Sequence, residues 1–471
     1  MQDHPRKAAI ILIIVLTLAA SAFSQNSDVA GTINRYLTIR TEMGNFSGAI
    51  LAAKDGRIII RKGYGYADVE KRTPYTPETK HEVASISKMF TAMTALKLRD
   101  ENKLKLGDPI CKYIETCPVQ WQPITIQELM RHTSGIPDYE AKLGLGSEKY
   151  LEFMTKPGAN RQIVEDAKKL PLDFTPGEKF NYSNTGYIIL SRIIEEAAGE
   201  PFEKYVAKAI LRPAKMSNSG VINFKDPPKD LATGYSFGDI GWDKVLSGVS
   251  LLDGHLKRMP QLTLESPEGD AWLYTTIDDL YKWSLIMDGS PLVSSQEAKE
   301  VFTPGLENYG YGWFIGKGFG RTRMRHNGGL PGYISDFVKF PDDKITIIIF
   351  SNIDRARLSN IVRDISSIIL GLPYDMPVRG TVEKLTDEEV SRLVGEYKTA
   401  DGKTLTVSKE PEYITAKLQD RYTAGLIPLS PIEFYFPLGD GKAIFTIGDN
   451  GRAIRVNMRY SGEDHIAERV K

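Results

Sequence analysis

Strand-like segments lie near both ends of this chain and are separated by a long region of helical and loop patterns. Early in the chain, Ser47–Ala53 and Ile58–Ile60 flank an Asp55-Gly56 turn, a pattern typical of a β-hairpin. Strand patterns return only late, at residues 311–315, 323–326, 337–340 and 345–350, before an apolar helix at 361–370. We therefore expect an α+β fold in which the first and last segments share one antiparallel sheet, with helices on its faces.

The end of the chain has a different pattern. Residues 373–386 contain two prolines and mixed charges, which is typical of a linker. Short strand-like runs separated by glycine and aspartate turns follow it, at residues 404–407, 413–416, 434–436, 443–446 and 453–456. The sequence therefore predicts a separate all-β domain over residues 387–471, a small barrel or sandwich.

The N-terminus has the order of a secretory signal peptide. Arg6 and Lys7 precede the apolar run Ala8–Leu16, and the small residues of Ser21–Ser24 lead into polar sequence. The apolar run is shorter than the roughly 20 residues needed to span a bilayer. We expect residues 1–24 to be removed, leaving a periplasmic or secreted protein that begins near residue 25 and has no membrane span. The alternative is a buried N-terminal helix.

Charge and cysteine content exclude several classes of protein. The 60 basic and 60 acidic residues balance, and no basic cluster indicates nucleic-acid binding. The two cysteines, Cys111 and Cys117, are close enough in sequence to form a small disulfide loop after export, or they remain free thiols. Without suitably spaced histidines they do not make a zinc site. We expect no metal and no cofactor.

The first chemical motif is Ser85-Ile86-Ser87-Lys88. Apolar residues at helical spacing follow it, so Ser85 is expected at or near the start of a helix, with Lys88 one turn away on the same face. An amine in that position can accept or relay the proton of a serine hydroxyl if burial lowers the pKa of the lysine. A solvated lysine beside an ordinary helix cap is the structural alternative.

A second motif, Tyr182-Ser183-Asn184, precedes an amphipathic helix that ends at Gly199. Tyr182 and Asn184 can both point into one cleft. A tyrosine hydroxyl near a lysine can shuttle a proton to a leaving group, and Asn184 offers a donor and an acceptor to a substrate amide. A buried tyrosine with a capping asparagine is the structural alternative.

The third motif is His326-Asn327-Gly328 at the end of a late strand. Glycine allows a substrate to lie closely against a strand edge, where a backbone N–H can complete an oxyanion hole with that of Ser85. His326 can hydrogen bond to a substrate carboxyl or carbonyl group, or it is a structural surface histidine.

Together, the three motifs resemble those of serine β-lactamases and penicillin-binding proteins, in the branch of class C β-lactamases and D-aminopeptidases. The segments Ile124–Pro137, with His132, and Gly269–Thr276 are also similar to this superfamily, and the resemblance extends from about Asn45 to Leu370. It implies a β-lactamase-like hydrolase domain over residues 25–372, in which Ser85 is acylated and Lys88 assists its deprotonation. Tyr182 is the family's usual candidate for the general base, and the choice between Lys88 and Tyr182 stays open.

One departure bears on the substrate. Class C β-lactamases have Lys-Thr-Gly where this chain has His326-Asn327-Gly328, so a permanent cation is replaced by an imidazole that is mostly neutral at pH 7. The resemblance then implies a small-molecule substrate, either a short D-amino-acid peptide or amide or a small ester. The alternatives are a β-lactamase or slowly deacylating penicillin-binding protein, and a non-catalytic sensor or scaffold. The C-terminal β domain resembles a lipocalin-like barrel that, in some related peptidases, shapes the cleft or a homo-oligomer.

Overall fold

The computed structural model of the chain describes most of the protein. The described residues are 28–144, 146–156, 158–223, 226–237, 256–260, 269–289, 294–354, 356–377, 385–410, 414–419, 422–436, 441–460 and 463–470. The predicted signal peptide, residues 1–24, lies outside these ranges. Two compact units are present: the first contains Phe46–Ser236 and Arg258–Leu358 with the residues up to Asn34, and the second contains Arg35–Asn45, Phe237–Lys257 and Ser359–Lys471.

The described helices have the following bounds in chain order. They are α1 (28–42), α2 (Ser87–Asp100), α3 (Ile126–Met130), α4 (Tyr139–Leu143), α5 (Glu148–Met154), α6 (Ala159–Lys168), α7 (Asn184–Ala198), α8 (Phe202–Val206), α9 (Ile277–Met287), α10 (Ser295–Val301), α11 (Leu358–Leu370) and α12 (Asp387–Leu393).

The strands of the first unit run from β1 to β13. They are β1 (Gly48–Lys54), β2 (Arg57–Tyr64), β3 (Tyr66–Asp68), β4 (Thr73–Pro74), β5 (His81–Glu82), β6 (Gly220–Val221), β7 (Tyr235–Phe237), β8 (Leu256–Arg258), β9 (Leu273–Thr275), β10 (Phe314–Gly318), β11 (Arg321–Leu330), β12 (Tyr333–Phe340) and β13 (Ile345–Ser351). Of these, β7 and β8 each contain residues of both units.

The main sheet joins the two ends of the hydrolase sequence, as predicted. Its six strands lie in the order β10-β11-β12-β13-β1-β2, and neighbouring strands are antiparallel. The early strand β1 pairs with the late strand β13, and Leu51 lies opposite Ile348. All of β13 and almost all of β1 are buried, which explains why both sequences are continuously apolar rather than alternating. The α+β prediction is confirmed.

A buried helix places the first motif beside the sheet. In α2, eleven residues are buried, on all sides of the helix, as expected for a helix in the centre of a core. Phe90 packs on Trp283 of α9 with ring centroids 4.6 Å apart, and α9 packs in turn against β1 and β13. Helix α7, which begins at the second motif, packs against α2 and ends at Gly199 in the left-handed conformation. The core thus fixes both motifs relative to each other.

One predicted strand begins later than expected. The sequence pattern predicts a strand over residues 311–315, whereas β10 runs from Phe314 to Gly318. Tyr311 and Trp313 are buried in the preceding loop. Gly312 has a φ of 79°, and a Cβ atom there would lie 2.6 Å from Cα of Met89, so this glycine turns the loop and lets it approach α2 closely. Continuous burial of residues 309–313 therefore belongs to a loop and not to a strand.

The second unit contains a closed antiparallel barrel of eight strands, in sequential order, which confirms the predicted small barrel. The strands are β14 (Gly395–Thr399), β15 (Thr404–Lys409), β16 (Ile414–Leu418), β17 (Tyr422–Pro428), β18 (Glu433–Phe436), β19 (Gly441–Ile447), β20 (Ala453–Tyr460) and β21 (Glu463–Arg469). Pairing of β14 with β21 closes it. Side chains such as Phe434, Phe445 and Val456 fill the interior.

Three of these strands, β14, β17 and β21, escaped the sequence pattern. Strands β14 and β21 are short of apolar residues, and in β21 only Ala467 is buried.

The predicted linker at 373–386 precedes the barrel, and its residues 378–384 lie outside the described ranges. Among the described residues, no helix combines the length and apolar character needed to cross a membrane.

Candidate active site

Ser85 stands on a tight turn directly before α2. The turn, Ala84–Ile86, is a 3-10 helix that leads directly into α2, so the serine lies near the start of the helix, where the sequence places it. Ala84 has a φ of 50°, an unfavourable conformation for a residue with a side chain. Such strained positions cluster at active sites, where the surrounding structure holds them in place. Ser85 is the one partly exposed residue of this turn.

Lys88 is completely buried beneath the serine. Its Nζ lies 3.1 Å from Oγ of Ser85, 2.7 Å from Oδ1 of Asn184 and 3.0 Å from the backbone oxygen of Asp270. The last two atoms can only accept hydrogen bonds. A neutral amine has two N–H donors for these acceptors and one lone pair, which is then directed at Ser85. A protonated amine donates to all three oxygens, and after losing one proton it keeps the last two bonds and can accept the serine proton.

Backbone contacts hold the segment Gly269–Leu273 against α2. The Gly269 oxygen accepts from Thr91 Oγ1 at 2.6 Å, and the Leu273 N–H donates to Ser87 Oγ at 2.9 Å. Between them, Asp270 presents its oxygen to Lys88. The family-like segment Gly269–Thr276 thus supplies a lysine acceptor through its backbone, a contribution that side-chain patterns do not display.

Tyr182 lies beside both Lys88 and Ser85. The centroid of its ring is 5.0 Å from Lys88 Nζ, and its hydroxyl interacts with the Ser85 side chain. Burial raises the pKa of Tyr182 well above its ordinary value, and the hydrogen bond with Ser85 opposes this only in part. The free enzyme therefore holds Tyr182 as a neutral phenol, which can donate a proton.

Asn184 is turned toward protein groups rather than toward open space. Its Oδ1 accepts from Lys88, its backbone N–H donates to Oδ1 of Asp138 at 2.7 Å, and Ser183 caps the helix by accepting from Gly186. The structure thus places Asn184 beside Lys88, with its acceptor oxygen occupied. Its predicted contact with a substrate amide stays a prediction beside this contact with Lys88.

Three carboxyl groups surround Lys88. They belong to Asp138, Glu140 and Asp270, and Tyr139 Oη donates long hydrogen bonds to Glu140 and Asp270, both at 3.4 Å. Burial raises the pKa of Glu140 to about 7. Burial also lowers the pKa of Lys88, while the charges of the three carboxyl groups oppose that shift. The charge state of this cluster therefore sets how readily Lys88 loses its proton.

His326 is buried, and both of its ring nitrogens have partners. Nδ1 lies 2.7 Å from the backbone oxygen of Asn327, and Nε2 lies 3.1 Å from the hydroxyl of Tyr309. The carbonyl oxygen requires a proton on Nδ1, so Nε2 accepts from the tyrosine. Burial lowers the pKa of His326 to about 3, helped by the charge of Lys88. A substrate contact to this imidazole requires one of the two bonds to break.

Gly328 is required by the turn that carries Ser85. A Cβ atom on Gly328 would lie 2.1 Å from the backbone oxygen of Val83, so the strand and the turn are in direct contact. Pairing between β10 and β11 ends at Phe314 and Arg325, whereas β11 continues to Leu330. Alternate N–H groups beyond Arg325 therefore lie on an edge that β10 does not cover, close to Ser85.

His132 contacts Tyr182 directly, which sequence reasoning did not anticipate. The two rings stack with centroids 4.1 Å apart, and His132 Nδ1 accepts from the Ser183 N–H at 3.1 Å. Its buried Nε2 has no hydrogen-bond partner among the described residues. Burial and the nearby Lys88 lower the pKa of His132 well below its ordinary value, so it is neutral. The histidine helps to fix the ring of Tyr182.

The structure also joins the two cysteines. Cys111 and Cys117 form a disulfide with Cα atoms 5.3 Å apart. The described residues contain no group of three histidine, cysteine or acidic side chains arranged to hold a metal ion.

Comparison with known families agrees with this arrangement. The family model described as Beta-lactamase matches residues 35–364. The chain belongs to the β-lactamase family. Members of this family, penicillin-binding proteins among them, are serine hydrolases, and the chain is one of these enzymes.

Similar proteins extend over both units of this β-lactamase-family enzyme. Penicillin-binding protein 4* of Bacillus subtilis (strain 168) is 29% identical over 445 residues, which are 91% of this chain and 96% of that protein. The octameric penicillin-binding protein homologue from Pyrococcus abyssi has a TM-score of 0.65 and 25% identity, and the match covers 93% of this chain and 99% of that one. The D-amino acid amidase from Ochrobactrum anthropi SV3, with 18% identity and a TM-score of 0.61, shares the fold over 73% of this chain and 99% of its own.

Proposed function

We propose that this β-lactamase-family enzyme forms an acyl-enzyme on Ser85 and acts on D-amino-acid amides, short D-amino-acid peptides or small esters. The observation that carries the proposal is the contact of a fully buried Lys88 amine with the Ser85 hydroxyl, 3.1 Å apart. All hydrogen-bond partners of this buried lysine are neutral, and burial lowers its pKa despite the nearby carboxyl groups. Activation of a nucleophile is a use for such a lowered pKa.

The proposed proton path uses both neighbours of the serine. Lys88 accepts the Ser85 hydroxyl proton while Oγ bonds to the carbonyl carbon of the substrate. Tyr182, a phenol beside both groups, then donates its proton to the leaving nitrogen or oxygen as the carbonyl–leaving-group bond breaks, and it recovers a proton from Lys88. Water then hydrolyses the acyl-enzyme ester on Ser85 by the reverse path: Tyr182 accepts a proton from the water while it returns its own to Lys88, and Lys88 gives a proton back to Ser85 as the ester bond breaks. Lys88 is thus the base in this proposal and Tyr182 the acid for the leaving group.

The negative charge of the intermediate requires donors near Ser85. We assign this role to the Ser85 backbone N–H and an N–H on the uncovered edge of β11 beyond Arg325. Gly328 contributes by allowing β11 to approach the turn of Ser85. His326 supports this edge through its bonds to Asn327 and Tyr309.

The charges near the serine favour an acyl donor without a carboxylate. The buried His326 is neutral, so it offers no cation where class C β-lactamases have a lysine. Asp138, Glu140 and Asp270 add negative potential around Lys88. A free α-ammonium group suits this potential, whereas the carboxylate of a β-lactam does not. We therefore place D-amino-acid amides and neutral esters before β-lactams; the amidase of Ochrobactrum anthropi shows only that the same fold houses such chemistry.

A penicillin-binding protein that deacylates slowly is the second candidate. The name of the Bacillus subtilis relative, whose sequence matches both units, favours it. A non-catalytic sensor would have no use for the contacts among Ser85, Lys88 and Tyr182, and we place it last.

Export, assembly and domain limits form part of the same proposal. The signal-like residues 1–24 and the Cys111–Cys117 disulfide support a periplasmic or secreted enzyme. The octameric Pyrococcus homologue supports a homo-oligomer. We keep the hydrolase domain at 25–372, the linker at 373–386 and the β domain at 387–471.

Matched acyl donors test the substrate class. Hydrolysis of D-alanine p-nitroanilide is compared with that of its N-acetyl derivative, of p-nitrophenyl acetate and of benzylpenicillin. The proposal expects turnover of D-alanine p-nitroanilide or of p-nitrophenyl acetate. It also expects kcat/KM for the N-acetyl derivative to be at least tenfold lower than for D-alanine p-nitroanilide. Preferred turnover of benzylpenicillin would make the enzyme a β-lactamase, and its stable adduct without turnover of the others would assign the enzyme to the second candidate class.

A further inference from the structure

A cavity lies in the hydrolase unit, outside the group of residues around Lys88. Its volume is about 240 Å³. The walls come from four separate segments: Glu82 of β5, the chain between Pro227 and Gly234, the residues Arg258–Pro260, and the turn between β11 and β12. Ser85, Lys88 and Tyr182 are not among the residues that line it.

Part of the wall is apolar and rigid. Its apolar members include Pro227, Pro228, Leu231, Met259, Pro260, Leu330 and Pro331. Proline has a fixed φ, so these walls are largely formed before any ligand enters. The aromatic ring of Tyr333 also faces the cavity, but its hydroxyl already donates to the Ala232 oxygen at 2.7 Å. The prolines therefore form a preformed apolar surface for the body of a ligand, beside the polar groups of the wall.

Glu82 is the exception in this wall. Its side chain lines the cavity although the residue is only 5% exposed, and its carboxyl group has no hydrogen bond or ion pair among the described residues. Backbone pairing of Glu82 with Tyr274 of β9 fixes its position. Burial alone raises the pKa of Glu82 to about 8. A buried carboxyl group without a partner is costly, and natural proteins keep such groups mainly where a ligand or a reaction uses them.

No charged neighbour in the described wall neutralises Glu82. The guanidinium group of Arg258 lies 3.3 Å from Glu70, and both of these side chains are more than half exposed. Asp230, the other charged residue of the wall, is exposed and carries the same sign as Glu82. The cavity thus combines an apolar surface formed by prolines with one buried acid that lacks a cation.

We propose that this cavity binds a small organic ammonium compound, with the ammonium group against Glu82 and an apolar body between the prolines. The volume equals that of about eight water molecules, so the compound has roughly eight non-hydrogen atoms. An entering ammonium stabilises the ionised carboxylate, so the carboxyl group releases a proton when the compound binds at neutral pH. This site does not depend on the acyl donor that Ser85 accepts, so the two proposals fail or hold separately.

Calorimetric titration of the mature protein with benzylammonium tests the site. Benzyl alcohol, which has the same shape without the charge, is the matched probe. We expect saturable binding of benzylammonium, with proton release seen as a dependence of the heat on the buffer at pH 7, and binding of benzyl alcohol at least tenfold weaker. The variant Glu82→Gln should lose at least tenfold in affinity and should release no proton.

Two control variants locate the effect. Glu148→Gln removes an exposed carboxyl group elsewhere, and Glu140→Gln removes one beside Lys88; both should bind benzylammonium like the wild type. The proposal is overturned if the wild type does not bind benzylammonium saturably, or binds benzyl alcohol equally well. Unchanged affinity in Glu82→Gln, or a loss in Glu140→Gln instead, also overturns it. If Glu82→Gln does not fold, the comparison of the two probes and the proton release in the wild type decide.

Discussion

The amine of Lys88 lies 3.1 Å from the hydroxyl of Ser85 and is completely buried. Its two other partners, the side-chain oxygen of Asn184 and the backbone oxygen of Asp270, can only accept hydrogen bonds. A lysine in this environment can give up its proton and still satisfy both acceptors. This relationship is the basis of the proposed mechanism, and most of the predictions below follow from it.

Replacement of Lys88 by arginine should remove activity while keeping the positive charge. A guanidinium group does not lose its proton in proteins, so it cannot accept the proton of Ser85. We expect kcat/KM for the preferred substrate to fall by about 10²–10⁴-fold, the usual contribution of a general base. Circular dichroism and thermal unfolding would show whether the variant is folded. A folded Lys88→Arg enzyme with near wild-type kcat/KM would contradict the role of Lys88 as base.

Replacement of Tyr182 by phenylalanine should affect substrates according to their leaving groups. An amine must be protonated as it leaves, whereas p-nitrophenolate leaves without a proton. We expect Tyr182→Phe to lower kcat for a D-amino-acid amide by about 10²-fold or more, and to lower acylation by a p-nitrophenyl ester far less. Burst-phase kinetics measure acylation by the ester separately. Equal losses on both substrates would instead make Tyr182 the base that deprotonates Ser85.

Glu140 should shift the pH dependence of the reaction. Burial raises the pKa of Glu140 to about 7, so its carboxyl group ionises as the pH rises through neutrality. The resulting charge favours the protonated form of Lys88 and raises the pKa of the lysine. Since activity requires neutral Lys88, kcat/KM should rise with pH, and Glu140→Gln should move this rise to lower pH.

The matched control for that profile is Glu148→Gln, which changes an exposed carboxyl group on α5. Its pH profile should coincide with that of the wild type. A Glu140→Gln profile that is unshifted, or shifted to higher pH, would show that Glu140 does not act on Lys88 as proposed.

The disulfide should contribute to stability. Cys111 and Cys117 close a short loop, and restriction of the unfolded chain by a loop of this size is worth about 2 kcal/mol. Urea unfolding of the double variant Cys111→Ser/Cys117→Ser should therefore show a lower free energy of unfolding by about that amount. A free energy equal to that of the oxidised wild type would mean that the bond constrains nothing beyond what the fold already fixes.

Much of the fold could be predicted because its signals are local. The hairpin of β1 and β2 and the late apolar strand β13 have strong patterns, and their sharing of one sheet follows from the helical sequence between them. The prediction fails where burial comes from a loop, as at Tyr311 and Trp313, where Gly312 permits a close approach to α2. It also misses strands such as β21, which has one buried residue and many charges.

In the site, too, local sequence patterns could be predicted, whereas contacts between distant parts of the chain could not. Ser85, Lys88 and Tyr182 are found by their spacing, and the structure places them together. The partners that set their chemistry are not visible in the sequence, because Asp270 acts on Lys88 through its backbone oxygen and Glu140 through space. The sequence leaves His326 as either a substrate contact or a structural surface histidine; the residue is buried, and Tyr309, seventeen residues earlier, lies 3.1 Å from its Nε2. Long-range contacts of this kind require the folded chain.

Intact-mass spectrometry of the mature protein and its Ser85→Ala variant tests the central claim most directly. Each protein is mixed with a p-nitrophenyl ester, a D-alanyl amide and benzylpenicillin, and product release is followed in parallel. We expect the wild type to show an acyl adduct or turnover with at least one donor, and we expect Ser85→Ala, folded as the wild type, to show neither. An adduct or undiminished turnover in the Ser85→Ala protein would contradict the assignment of Ser85 as the nucleophile.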